Sequence, residues 1–230
     1  MRGFKSHLPH KLIIYLSSYL FLKHLIRMKN IATQLSSLRN SKSRISYLYD
    51  IENQVDEKTK RLVAAKLAEE HINEESGVSA EMAIINFEKS GMTKEEAIQK
   101  TIEIARKKSK YFVLGGAYAK GGDFERAGRS FRLYAFSRFL DSVALQNASS
   151  YFERSGLFKE AADCWNLAFP NSPGSAELYE KAGYWRTAAV MWDSYGDYKR
   201  AINARGQAKG TYKLNDLLRA FVSKVLNPLY

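Results

Sequence analysis

Apolar positions recur every three to four residues through most of this chain, and runs of alternating β-branched residues are hard to find. Helices are therefore predicted and strands are not. The first apolar stretch runs from Leu12 to Leu22 and is interrupted by Ser17 and Ser18. A spanning helix needs roughly 20 apolar residues, so this stretch is too short to cross a bilayer. The KHLIRMKN that follows it lacks the small residues of a signal-peptide cleavage site. Residues 30–49 are polar and Ser-rich, with enough Leu, Ile and Tyr for another helix. Residues 56–75 read as a helix with Leu62, Ala65 and Ala68/Glu69 at helical spacing, stopped by Gly77. Ser79 is placed as the cap of a short helix ending near Ser90–Gly91. Thr93 and Glu96 form a T-x-x-E capping box, which opens a helix with Ala97, Ile98, Ile102 and Ala105 on one face. The basic run at 106–110 lies near its C-terminus, where cations suit the helix dipole.

From residue 108 a longer pattern takes over: a glycine, an aromatic two residues on, an alanine five residues on. It occurs as Gly122/Phe124/Ala127, Gly156/Phe158/Ala161, Gly183/Trp185/Ala188 and Gly196/Tyr198/Ala201. An aromatic stands four residues before each glycine, at Tyr118, Phe152, Tyr179 and Trp192. In the first three units another follows the alanine by four, at Phe131, Trp165 and Trp192, whereas the fourth has Arg205. A glycine permits the tight turn between antiparallel helices. A small alanine lets the helices approach, and aromatics fill the space between layers. One helix pair cannot bury its own apolar face, so pairs stack. The expectation is that Ala127, Ala161 and Ala188 are buried between helices together with Phe131, Trp165 and Trp192.

Gly122 and Gly156 are 34 residues apart, and the unit 108–141 carries Tyr111, Leu114, Gly115 and Tyr118 at the spacing W-x2-L-G-x2-Y, with Tyr for Trp. The unit 142–175 is poorer at Leu145, Ala148 and Ser149, then matches at Phe152, Ala161, Trp165, Ala168 and Pro173. Over 108–175 the chain resembles the tetratricopeptide repeat family. The resemblance implies an all-α fold of antiparallel helix pairs stacked as a short right-handed α-solenoid. Gly156 to Gly183 is a shorter interval and Gly183 to Gly196 shorter still, so the helix near 184–195 closes one unit and opens the next. Such irregular stacking is similar to helical solenoids of the clathrin and coatomer kind. Residues 211–226 read as a final amphipathic helix covering the open end. The organisation expected is a basic segment 1–49, a helical part 50–107, repeats 108–210 and a C-terminal capping helix 211–230.

Charge changes the picture only at the N-terminus. The net charge is +12, yet residues 1–49 contain nine Lys/Arg and no Asp or Glu, while the remainder is nearly balanced. That composition suits a separable targeting segment or a helix lying on an anionic surface. The competing reading is a basic helix docked on the solenoid end through Leu12, Ile13, Leu16, Leu20 and Leu25. The single cysteine excludes an intramolecular disulfide framework and a cysteine-rich zinc site, and suits an intracellular compartment.

Candidate chemistry is sparse. Gly116 to Gly121 gives G-x4-G, but Gly122 and Asp123 stand where a phosphate loop needs Lys and Ser/Thr, and no strand precedes. His71 in EEHINEE fits no zinc-enzyme spacing. Cys164 occupies the slot that holds Ser130 and Met191 in other units and is read as a buried structural thiol. No catalytic residue, cofactor, metal or small-molecule substrate is expected. Arg126, Arg129 and Arg132 form a basic outer stripe on the side away from Ala127, Phe131 and Tyr134, either solvated or suited to phosphate. In the repeat family ligands lie along the groove of the first helices, and the register places Phe112, Gly116, Lys120, Gln146, Asn147, Ser150, Glu153 and Arg154 there. Asn147 matches one position of the carboxylate clamp that some members use, but Phe112 and Gly116 replace its Lys and Asn. The function implied is a protein-binding adaptor or scaffold. The alternative is a basic accessory protein that meets nucleic acid, a ribonucleoprotein or an anionic membrane surface through residues 1–49.

Overall fold

The computed structural model describes residues 10–208, with side chains from Leu22 onward apart from His24 and Leu25. Every regular element among them is a helix: α1 (His10–Ser37), α2 (Ser41–Glu52), α3 (Glu57–Glu74), α4 (Ser79–Lys89), α5 (Lys94–Lys107), α6 (Tyr111–Lys120), α7 (Phe124–Ser137), α8 (Ser142–Arg154), α9 (Phe158–Ala168), α10 (Pro173–Lys181), α11 (Trp185–Tyr195) and α12 (Tyr198–Gln207). The all-α fold is as expected, and consecutive helices pack on one another from α2 to α5 and from α7 to α12. Two compact units divide at Ala117 and Tyr118, within α6. The expected segment 211–226 and the N-terminal side chains Leu12, Ile13, Leu16, Leu20 and Leu25 lie outside the described residues.

The first unit corrects several sequence expectations. No break separates residue 30 from the preceding helix: α1 continues to Ser37, and α2 begins where the Asn40 side chain accepts the Ser43 N–H. Ile31 and Leu35 on α1 are buried with Leu48, Val55, Val63 and Leu67. Arg44 also reaches from α2 to the buried Glu70 of α3 at 2.8 Å. Met28, Ile31, Leu35, Ile45 and Leu48 thus contribute to the core of the first unit, packed with Val63 and Leu67 of α3. On α3 the buried stripe is Thr59, Val63, Leu67 and Ile72, and Leu62 is exposed. Ser79 does not cap α4 but begins it, its Oγ accepting the Ser76 N–H. The Thr93/Glu96 capping box is formed, and Ala97, Ile98, Ile102 and Ala105 are buried on α5 as expected. Gly116 sits where α6 crosses α4: a Cβ there would fall 2.7 Å from that of Ala80.

In the second unit the repeated pattern has a clear physical account. Gly122, Gly156, Gly183 and Gly196 all have left-handed backbone, with φ from 76° to 97°. The residue after each glycine donates its N–H to the carbonyl of the aromatic four residues before it: Asp123 to Tyr118, Leu157 to Phe152, Tyr184 to Tyr179 and Asp197 to Trp192, at 2.8–3.0 Å. This closes the Schellman motif, in which a left-handed residue lets the chain satisfy the last helical carbonyls. The donor residue also begins the next helix. Asp123 and Asp197 cap it by accepting the N–H of Arg126 and Arg200. One helix is thereby joined to the next with almost no loop.

The small alanines then allow close packing. Ala127, Ala161, Ala188 and Ala201 are fully buried, as are Phe131, Phe152 and Trp192. Trp165 is the exception to the expected core: it is half-buried. Its neighbour on α10 is Gly174, where a Cβ would meet the indole Nε1 at 2.6 Å, so the ring packs where α10 carries no side chain. Helix α11 packs on both α10 and α12, which accounts for Trp192 serving two units of the pattern. Cys164 is buried, and desolvation pushes its thiol up to about 11.

Candidate functional site

Ion pairs link the alternate helices of the second unit. Lys181 on α10 meets Glu153 on α8 at 2.6 Å, and Arg200 on α12 meets Glu177 on α10 at 2.8 Å. The hydrogen bond to Glu153, then its charge, holds Lys181 above its ordinary pKa; Glu177 does the same first for Arg200. Helix α9 packs on both α8 and α10, and α11 on both α10 and α12, so the two ion pairs link α8, α10 and α12 on the side where Glu153, Glu177, Lys181 and Arg200 lie.

That face has a cleft of about 250 Å³ where α8, α9 and α10 meet. Ser150, Trp165 and Leu178 wall it, and Glu153, Glu177 and Lys181 edge it. The Trp165 Nε1–H is already spent on Ser172 Oγ at 2.9 Å, so the ring offers the cleft an apolar surface rather than a donor. The Tyr179 hydroxyl donates to Asp163 at 2.5 Å. Burial first, and Asp163 second, hold that phenol far above its ordinary pKa. Tyr179 is thus a fixed strut between α10 and α9.

Of the groove residues expected from sequence, Gln146, Asn147 and Ser150 come together on α8, the first two half-buried and Ser150 exposed. Glu153 joins them and is engaged with Lys181. Arg154 is diverted: its guanidinium lies 3.9 Å over the Phe124 ring, next to a stack in which Tyr151 lies parallel to both Phe124 and Phe131. A cation held over aromatic faces is stabilised there by the ring quadrupole. Phe112 belongs to the first unit, half-buried, with its backbone N–H 3.4 Å from the Glu75 carboxylate. Lys120 ends α6 and is exposed.

The arginine stripe is less basic than its sequence suggests. Arg126 pairs with Asp123 at 3.4 Å and Arg129 with Glu125 at 2.6 Å, both within one helical turn. Arg132 leaves the stripe altogether, half-buried and 5.5 Å over the Phe152 ring. Sequence reading missed Glu177 and Lys181, because the shortened third unit shifts α10 out of the 34-residue register. It also missed the corner between α7 and α8, where Leu133, Phe136, Phe139, Leu140 and Val143 are all exposed. The apolar run at 139–140, beyond the end of the aromatic-alanine face of α7, was the available signal.

Elsewhere, a cleft of about 540 Å³ in the first unit lies among α1, α2 and α3, walled by Met28, Ile31, Leu35, Leu48 and Leu62. Arg44 at its edge spends its donors on Glu70, the Leu38 carbonyl and Ser41. His71 is buried and 3.2 Å from the Tyr49 hydroxyl, and desolvation lowers its pKa. Among the described residues no group of three or more His, Cys, Asp or Glu converges on a metal-sized site, and no helix is long and apolar enough to cross a membrane. Comparison with family models, curated proteins and solved structures finds no match to this chain.

Proposed function

We propose that this chain is a tetratricopeptide-like interaction module that holds an extended peptide segment of a partner protein along the α8–α10–α12 face. The observation that carries this reading is the Trp165 cleft, open on the side of the second unit where Glu153–Lys181 and Glu177–Arg200 link α8, α10 and α12. The cleft is smaller than the roughly 300–1,000 Å³ of small-molecule sites, which favours one side chain of a longer ligand. Gln146 and Asn147 each offer an amide donor and acceptor, the groups that pair with a peptide backbone. The paired charges of the ladder leave little excess cation for a phosphate backbone on this face. Selection of a random displayed-peptide library on the purified protein tests this. The expected outcome is enrichment of related peptides, with affinity lowered at least about tenfold by Ser150→Trp, which fills the cleft from an exposed position. No enrichment, or peptides indifferent to that substitution, would sink the reading.

A second attachment is favoured by α1. Leu22 and Ile26 are exposed there beside the exposed Lys23, Arg27 and Lys29, the arrangement of a helix that rests on an anionic surface. Co-sedimentation with phosphatidylserine vesicles, weakened by salt and by Lys23→Glu with Lys29→Glu, is the expected result. Salt-insensitive or absent binding counts against it.

A further inference from the structure

We infer that the α7–α8 corner is a self-association surface, through which two copies of this chain pair about a twofold axis near Phe139. The backbone makes the first argument. Helix α7 ends with a Schellman closure like the glycine turns: Leu140 donates its N–H to the Ala135 carbonyl at 2.8 Å. Here, however, the left-handed positions are Phe139 (φ 53°) and Leu140 (φ 65°). Four other helix ends of this unit place glycine at that position, and bulky L-residues adopt it only against steric resistance. Phe139 is also fully exposed. Its ring gains nothing within the described chain that would offset either the backbone conformation or its contact with water.

The surroundings extend the same surface. Phe136 and Leu133 precede it on α7, and Leu140 and Val143 follow it into α8, all exposed. With a full side chain of this size worth on the order of 150–200 Å², the five present about 500–600 Å² weighted by their exposures. A patch of that size is at the upper end for a monomer surface. Pairing it with its own copy would bury about 1,000–1,200 Å², the lower edge of a specific interface. Charge decides between occupants. Arg126 and Arg129 are paired with Asp123 and Glu125, and the corner itself carries one Arg138 and one Asp141. A twofold arrangement of this surface therefore sets no block of like charges against itself, while an anionic membrane would find little net positive charge to attract it.

Sedimentation equilibrium of the full chain across about 1–200 µM, with Phe139→Gly alongside, tests the inference. The wild type is expected to shift with concentration from 26.2 kDa toward twice that mass. F139G is expected to stay at the lower mass while melting no earlier, since glycine suits the left-handed turn. F139C, air-oxidised, is expected to form a disulfide-linked dimer, the native Cys164 being buried. A wild type monomeric throughout, a dimer that F139G leaves intact, or vesicle binding lost in F139G without any dimer would each overturn it.

Discussion

Gly128 gives the most direct energetic test of the helix packing. It lies buried within α7, and a Cβ there would fall 2.8, 2.9 and 3.0 Å from three ring atoms of Phe152 on α8. Carbon atoms in contact prefer about 3.5–4.0 Å, so the ring would have to move by roughly half an ångström or more. Phe152 has little room: it is fully buried, with the Arg132 guanidinium 5.5 Å from its centroid. Gly→Ala in a helix interior ordinarily stabilises by about 1 kcal/mol. Overpacking a tight core costs about 1–3 kcal/mol. Gly128→Ala is therefore expected to gain nothing and to lose up to about 2 kcal/mol, the packing cost cancelling or exceeding the helix gain. Gly206 on α12 is the control, because nothing lies within 4 Å of its Cβ position. Gly206→Ala is expected to be neutral or to raise stability by up to about 1 kcal/mol. Urea unfolding followed by tryptophan fluorescence is a clean assay, since all three tryptophans, Trp165, Trp185 and Trp192, lie in the second unit. A G128A variant about 1 kcal/mol more stable than the wild type would show that α7 and α8 are not in this close register. Pairing G128A with Phe152→Leu should give a loss smaller than the sum of the two.

Trp192→Ala is expected to cost about 3–5 kcal/mol, because the side chain is fully buried and its Nε1–H donates to Glu180 at 2.8 Å. Trp165→Ala should cost clearly less by the same urea titration; equal losses would contradict the half-open cleft. The His71 pKa is lowered by burial from its ordinary value near 6.5. The unfolded chain therefore binds more protons there, so this contribution is present above about pH 6.5 and is lost as pH falls through the folded value. Circular dichroism melts between pH 7 and 5.5 should show a slope that flattens in His71→Gln, and an unchanged slope would refute the assignment.

The turns of the second unit were legible because one local pattern encodes them. The aromatic supplies the carbonyl, the glycine the left-handed backbone and the alanine the close contact, all within ten residues. The first unit was harder. Periodicity places Leu62 on the core face of α3, but its neighbour Val63 is the one buried, against Ile31, Leu35 and Leu48 of α1 and α2. Trp165 was misjudged because its burial depends on Gly174, across a turn whose length the repeat does not fix. Arg154 was assigned to the groove by register, but Phe124 and Tyr151 offered its guanidinium a better seat. Phe139 broke the glycine rule of the other helix ends, and a rule broken without internal compensation was the mark of a surface that sequence periodicity had not singled out.

The central claim, a peptide held along α8, α10 and α12, is tested most directly by amide hydrogen exchange of the full chain with and without a peptide selected on it. The expected result is added protection confined to α8, α10 and α12 around Gln146, Asn147, Ser150, Glu177, Lys181 and Arg200, weakened by Ser150→Trp. Protection that falls instead on α1 or on the α7–α8 corner, with the α8 and α10 amides unchanged, would contradict it.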